Sequence, residues 1–177
     1  MPFKNFKLFR LNSETQILPF DCGNTDLNGF LFDDAKRYSE QLLATTFIIQ
    51  TEKETVAFFN YLNDKISHTD IDNKNIFLER ISSLLPKGKD GFTSYPAVKI
   101  GRLAVSENYK GNGYGREILN FTKAFFVDNN RTGCKFITVD AYRESLEFYE
   151  KNGFKYLSSK DLKSDTRLMY YNLGSLK

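Results

Sequence analysis
The sequence predicts a mixed α/β fold, a sheet of antiparallel and parallel strands with helices on both faces. Two features of element order predict it. Strand-like runs separated by short turns dominate the first half, and from Ala97 the pattern changes to strand, helix, strand, helix, strand. A third feature is local. Glycines at 111, 113 and 115 stand where a strand pattern passes into a helix pattern, and Asn152-Gly153 closes the next helix pattern as a left-handed stop.

Each element follows from its own residues. Phe3, Phe6 and Leu8 interleave with Lys4, Lys7 and Arg10 as a first, imperfectly alternating strand. Residues 19–24 (PFDCGN) read as a turn, after which Asn24 or Thr25 caps a helix whose apolar face is Leu27, Phe30, Leu31, Ala35 and Tyr38. Gly29 weakens that helix. Residues 45–51 (TTFIIQT) and 55–62 (TVAFFNYL) are β-rich runs joined by a turn at 52–54. Residues 64–95 are more polar, with a short helical stretch around Ile76, Phe77, Ile81 and Leu84 and a loop at 86–91, and read as an insertion between strands. Residues 97–105 (AVKIGRLAV) form a strong strand. A helix over 117–128 presents Ile118, Phe121, Thr122 and Phe125, and a loop covers 129–133. Residues 136–141 are a strand, 143–151 a helix, and 154–157 and 167–173 the last strands.

The chain has 177 residues, which suits a single domain spanning 1–177, with the insertion inside it. At this size a sizeable core forms without staples. Hydrophobic residues make up 41% and charged residues 27%, which excludes a disordered, collagen-like or coiled-coil chain. With 17 Phe, 10 Tyr and no Trp, the core is expected to be built on phenylalanine. Cys22 and Cys134 are far apart and form no CxxC pair, so two reduced thiols are expected. His68 is the only histidine, which excludes a histidine-rich metal site. No apolar run approaches transmembrane length and the N-terminus lacks a signal-peptide core, so the expectation is a cytoplasmic enzyme or binding protein. The net charge of +3 is mild. Lys4, Lys7 and Arg10, and then Lys87, Lys89, Lys99 and Arg102, are concentrations of base that suit either a polyanionic ligand or a solvated surface.

The chemically informative stretch runs from Val105 to Glu117. Glycines there let the backbone turn tightly and approach a ligand, and the free N–H groups of a helix N-terminus make an anion site. Lys110 and Arg116 add charge at its rim. The spacing fits neither the dinucleotide fingerprint nor a Walker A loop. By themselves the three glycines admit a phosphate cradle or a plain tight turn.

Lys110-Gly111-Asn112-Gly113-Tyr114-Gly115 resembles the R/Q-x-x-G-x-G/A coenzyme A motif of the GNAT acetyltransferases, with Lys in place of Arg or Gln. The run from Phe148 to Phe154 (FYEKNGF) is similar to the family's FYxxxGF. The resemblance implies a sheet of six or seven strands splayed between the fourth and fifth, with acetyl-CoA as co-substrate in the wedge. It implies that backbone N–H groups of Leu103, Ala104 and Val105 bind the pantetheine arm and polarise the thioester carbonyl. Lys110, Gly111, Asn112, Gly113, Tyr114, Gly115 and Arg116 would hold the pyrophosphate. Tyr142 stands where many members carry a cofactor-holding Asn, and Ser145 is the substitute candidate. Tyr149 matches the position that often protonates the leaving thiolate, whereas its spacing with Leu146 alone favours core. Asp140 is a weak candidate base, Glu107 sits on the loop rim, and His68 is expected exposed. The resemblance implies no metal.

The N-terminal half narrows the resemblance. Phe20 to Leu31 (FDCGNTDLNGFL) followed by Ala35, together with residues 100–105 (IGRLAV), is similar to the GNAT toxins that acetylate the α-amine of aminoacyl-tRNA. The resemblance then implies that acceptor, a homodimer and an antitoxin protein as partner. The alternatives are a small-molecule or protein amine as acceptor, or a non-catalytic module that binds acetyl-CoA.

Overall fold
A computed structural model describes residues 6–82, 84–85, 88, 92–128 and 132–176. The chain forms two compact units. One takes the chain up to Leu62 together with Ile100–Thr122, and the other takes Asn63–Lys99 together with the chain from Lys123 onward. The strands are β1 (Lys7–Arg10), β2 (Thr45–Gln50), β3 (Thr55–Ser67), β4 (Ser94–Val105), β5 (Phe136–Tyr142), β6 (Lys155–Tyr156) and β7 (Thr166–Asn172), in the sheet order β1-β2-β3-β4-β5-β7-β6. The α-helices are α1 (Thr25–Gly29), α2 (Ala35–Glu40), α3 (Lys74–Phe77), α4 (Tyr114–Val127) and α5 (Leu146–Lys151).

In the first unit β1, β2 and β3 form an antiparallel meander, with Arg10 opposite Phe47 and Ile48 opposite Phe58. Residues from Thr55 to Tyr61 of β3 are all buried, because helices cover both faces of this strand. On one face Phe58 meets Phe20 edge-on at 5.5 Å and stacks with Phe30 at 6.1 Å, alongside Leu11, Leu31, Ala35, Ile48 and Ala104. On the other face Phe59 stacks on Phe47 and meets Phe121 of α4. The Tyr61 hydroxyl bonds Thr122 Oγ1 at 2.7 Å, and Thr122 donates its own proton to the Ile118 carbonyl, so these two buried hydroxyls satisfy each other and the helix.

In the second unit β4 and β5 are parallel, and the Lys135 N–H at the entry to β5 donates to the Pro96 carbonyl of β4 at 2.9 Å. β5 pairs antiparallel with β7 from Phe136 opposite Asn172 to Tyr142 opposite Thr166, and β6 pairs with β7. Ile66, Ile71, Phe77, Ile81, Tyr95, Ala97, Phe136, Leu157 and Tyr170 form its core. The loop between β6 and β7 is held by two arginines. Arg167 donates from Nε to Asp161 Oδ1 at 2.7 Å and from Nη2 to the Ser158 carbonyl at 2.9 Å, while Arg143 donates to the Ser164 carbonyl. The Arg167 side chain is only 9% exposed, so replacing Asp161 with Ala leaves a buried cation unpaired. The expected cost is about 3 kcal/mol, read as a lower urea midpoint with unchanged slope.

The elements depart from the sequence reading at specific places. The first helix is interrupted: the chain widens into a π-turn at Phe30–Asp34, where the Ala35 N–H reaches the Phe30 carbonyl. Asn24, not Thr25, is the cap, accepting from the Leu27 N–H. Tyr38 ends 37% exposed and touches Phe30 by its ring edge. β3 runs on to Ser67 and β4 starts at Ser94, so strands take both ends of the expected insertion, and Ile66, Ile71, Phe77 and Ile81 from it are buried. α4 begins at Tyr114 rather than at 117, and its buried face uses Leu119 while Phe125 is 45% exposed. The expected loops at 86–91 and 129–133 lie largely outside the described residues, as do Phe3, Lys4, Lys87 and Lys89. Both cysteines are free thiols.

Candidate active site
Near the C-terminal end of β4 two side chains of β3 approach its backbone closely. A Cβ on Gly101 would run into Leu62 and come within 2.7 Å of Asn60 Oδ1, so only glycine fits. The neighbouring Arg102 N–H donates to that same Asn60 oxygen at 2.8 Å. A buried side chain, Asn60, thus takes a backbone N–H of β4 just ahead of Leu103, Ala104 and Val105. The Arg102 guanidinium lies 4.9 Å over the Phe30 ring, and its buried Nε has no hydrogen-bond partner among the described residues.

The loop after β4 is built from bonds on both sides. Buried Ser106 donates its N–H to the Val56 carbonyl at 2.9 Å, and a 3-10 turn follows over Glu107–Tyr109. Gly111 and Gly113 adopt φ of +78° and +83°. A Cβ at Gly111 would meet nothing within 4 Å, and one at Gly113 only the Arg116 guanidinium at 3.7 Å. Packing does not demand these glycines; their left-handed backbone does, and the loop faces open space. The Glu117 N–H makes its bond to the Gly113 carbonyl, so the N–H groups of Tyr114, Gly115 and Arg116 precede the first full helical turn. With 14 residues behind it, the α4 dipole adds positive potential there. The Tyr114 ring packs edge-on against Phe6 and Tyr109. Asn112 donates to the Tyr109 carbonyl at 3.2 Å. Lys110 lies exposed on the loop, and its ammonium donates to the Cys22 carbonyl at 2.8 Å and pairs with Glu107. This donor set, backbone N–H groups opening a long helix beside two left-handed glycines, fits a pyrophosphate.

In the other unit, Arg143–Ser145 form a 3-10 turn leading into α5, and the Ser145 side chain makes no capping bond. Tyr149 is 6% exposed, with the rings of Phe148 and Phe154 at 5.1 and 5.3 Å. Its hydroxyl bonds no described residue. Burial pushes its phenol well above the usual tyrosine range, so it stays protonated. Gly153, at φ +85°, ends α5 as read from sequence. Asp140 is taken by Lys99 at 2.7 Å. His68 is half-buried, with Nδ1 3.2 Å from the Thr93 carbonyl. Among the described residues no group of three or more His, Cys, Asp or Glu side chains is placed to hold a metal ion, and no helix is long and apolar enough to cross a membrane.

Sequence reading missed the part played by Asn60 and by residues 21–23. The available signals were a polar residue inside the apolar run TVAFFNYL, and a Gly following a buried Cys.

A strand passing through a loop of left-handed glycines into a long helix, in a mixed sheet, defines an α/β domain. The chain belongs to the GNAT acetyltransferase family: the model of the acetyltransferase (GNAT) domain matches residues 44–156, and the protein is an N-acetyltransferase. Solved structures share the fold over nearly all of it. A bacterial toxin is 16% identical, with 97% of this chain and 92% of that one covered and a TM-score of 0.78. The toxin AtaT complexed with acetyl-methionyl-tRNAfMet is 18% identical, with 97% and 96% covered and a TM-score of 0.71. A tyrosine-to-phenylalanine variant of AtaT, bound to the C-terminus of the antitoxin AtaR and to acetyl-CoA, is 17% identical, with 97% and 96% covered and a TM-score of 0.68.

Proposed function
We propose that this N-acetyltransferase takes its acetyl group from acetyl-CoA and delivers it to the α-amine of an aminoacyl-tRNA, with Tyr149 as general acid. The observation that carries the donor half is the open loop with Gly111 and Gly113 in left-handed conformation at the start of α4. Its backbone, from Gly111 to Arg116, holds the pyrophosphate, and the N–H groups of Leu103, Ala104 and Val105 take the pantetheine arm and the thioester carbonyl. Acetyl-CoA supplies the activated acyl carbon; the chain's own residues orient it and manage protons. The attacking amine forms the new C–N bond as the C–S bond breaks. Tyr149 gives its proton to the departing sulfur, and the amine releases its proton to water. Its phenol, kept protonated by burial, suits that transfer.

The acceptor rests on two supports. The run from Phe20 to Ala35 and residues 100–105 are similar to the tRNA-acetylating toxins, and AtaT shares the fold while complexed with acetyl-methionyl-tRNAfMet. An α-amine has a reference pKa of about 8, against about 10.4 for a lysine, so it loses its proton without a strong base. That suits a chain whose candidate base, Asp140, is paired with Lys99. The same reading makes the protein a cytoplasmic homodimer countered by an antitoxin.

Radiolabelled acetyl transfer from acetyl-CoA to total charged tRNA, with deacylated tRNA beside it, tests the reading. Label is expected on charged tRNA only. Label on neither, in protein shown to bind acetyl-CoA, would assign the acceptor to a small-molecule or protein amine.

A further inference from the structure
The glycine loop rests on a floor from the N-terminal part of the chain. The Asp21 carbonyl accepts the Glu107 N–H at 2.8 Å, and the Cys22 carbonyl accepts the Lys110 ammonium at 2.8 Å. Gly23, at φ +75°, lies directly under the Glu107 side chain: a Cβ there would overlap the carboxylate and stand 3.3 Å from its carbon. That carboxylate is the partner of Lys110. The floor is stiffened by its own bonds. Asp21 Oδ1 accepts from the Gly23 N–H and from Asn28 Nδ2, both at 2.8 Å, and Asn28 Oδ1 accepts the Cys22 N–H at 3.0 Å. From the opposite side Glu54 accepts from Asn108 Nδ2 and the Tyr109 hydroxyl, both at 3.0 Å.

Lys110 therefore bonds the protein through both its backbone N–H and its ammonium, although 51% of its side chain is exposed. Its N–H reaches the Glu107 carbonyl at 3.3 Å, and its ammonium bridges the floor and the Glu107 carboxylate. A bridge of this kind sets the path of the backbone entering Gly111. A displacement of the floor would move the N–H groups that follow.

We propose that Gly23 and Lys110 are positioning residues for the pyrophosphate of coenzyme A: residues 21–23 set the shape of the 107–113 loop, and Lys110 acts through that floor and not on the phosphate. The proposal rests on the acetyl-CoA reading above. In a Gly23→Ala variant the added Cβ drives the Glu107 carboxylate away and releases Lys110. A Lys110→Met variant keeps the length of the side chain and removes the ammonium.

The test measures coenzyme A binding by calorimetry and pantetheine binding by NMR titration, since pantetheine lacks the pyrophosphate. Gly23→Ala and Lys110→Met are each expected to weaken coenzyme A about tenfold and to leave pantetheine within about twofold. Acting through one floor, the two together should cost no more than the worse single change. Four results would overturn the proposal: unchanged coenzyme A affinity, equal loss of both probes, full multiplication in the double variant, or a Lys110→Met loss that vanishes in high salt as a direct phosphate contact would. Wild-type protein that binds neither probe would instead overturn the donor reading beneath it.

Discussion
Tyr149→Phe is expected to lower turnover by about 100-fold or more, the range removed with a general acid, while acetyl-CoA affinity stays within about twofold. The ring of Tyr149 is fixed by Phe148 and Phe154, and phenylalanine keeps that packing. The hydroxyl bonds no described residue, so its loss should change stability by less than about 0.5 kcal/mol. The split between kinetics and folding is the informative part. Single-turnover acetyl transfer and a denaturation curve on the same sample would show it. Unchanged turnover would take the acid role away from Tyr149 and leave it a core residue. Loss of turnover with acetyl-CoA still bound argues against a module that only binds. The pH profile adds a check. Because burial holds the phenol protonated above the ordinary tyrosine value of about 10, the rate should not fall on the alkaline side at or below that pH through loss of this proton. Its rise from the acid side should follow deprotonation of the acceptor amine.

Phe58→Ala should cost about 4 kcal/mol, a large share of the whole stability of a domain. Phe58 is fully buried and lies between the rings of Phe20 and Phe30, with Leu31, Ile48 and Ala104 in the same cluster. Removing the ring opens a cavity beneath β4, and Ala104 carries the disturbance to the strand end that leads to the glycine loop. A drop in urea midpoint with unchanged slope, together with weaker acetyl-CoA binding, is the expected result. Phe58→Leu, which refills most of the volume, should cost about 1 kcal/mol. A cost under about 1 kcal/mol for Phe58→Ala would mean that the cluster collapses around the gap.

Much of the fold was legible because its signals are local. The runs TTFIIQT and TVAFFNYL announce a hairpin by their own composition, and β2 and β3 form it. Asn152-Gly153 announces the end of α5, and Gly153 adopts the left-handed conformation such a stop needs. The glycines at 111 and 113 likewise read as a turn opening a helix. The π-turn at Phe30–Asp34 was not legible. It depends on which register lets Phe30, Leu31 and Ala35 all reach the core beside Phe58, and that is decided by packing. The polar look of residues 64–95 also misled, because a few well-spaced residues, Ile66, Ile71, Phe77 and Ile81, suffice to bury a segment whose average is hydrophilic.

By itself the sequence determined the order of the elements, the position of the glycine turn before α4 and the family. Each is written in spacings of a few residues, where backbone preference and periodicity act directly. Only the tertiary structure decided what Lys110 and Asn60 do. Their partners, the Cys22 carbonyl and the Arg102 N–H, are 88 and 42 residues away in the chain. Contacts at such range exist only after the chain has closed, and no local preference encodes them.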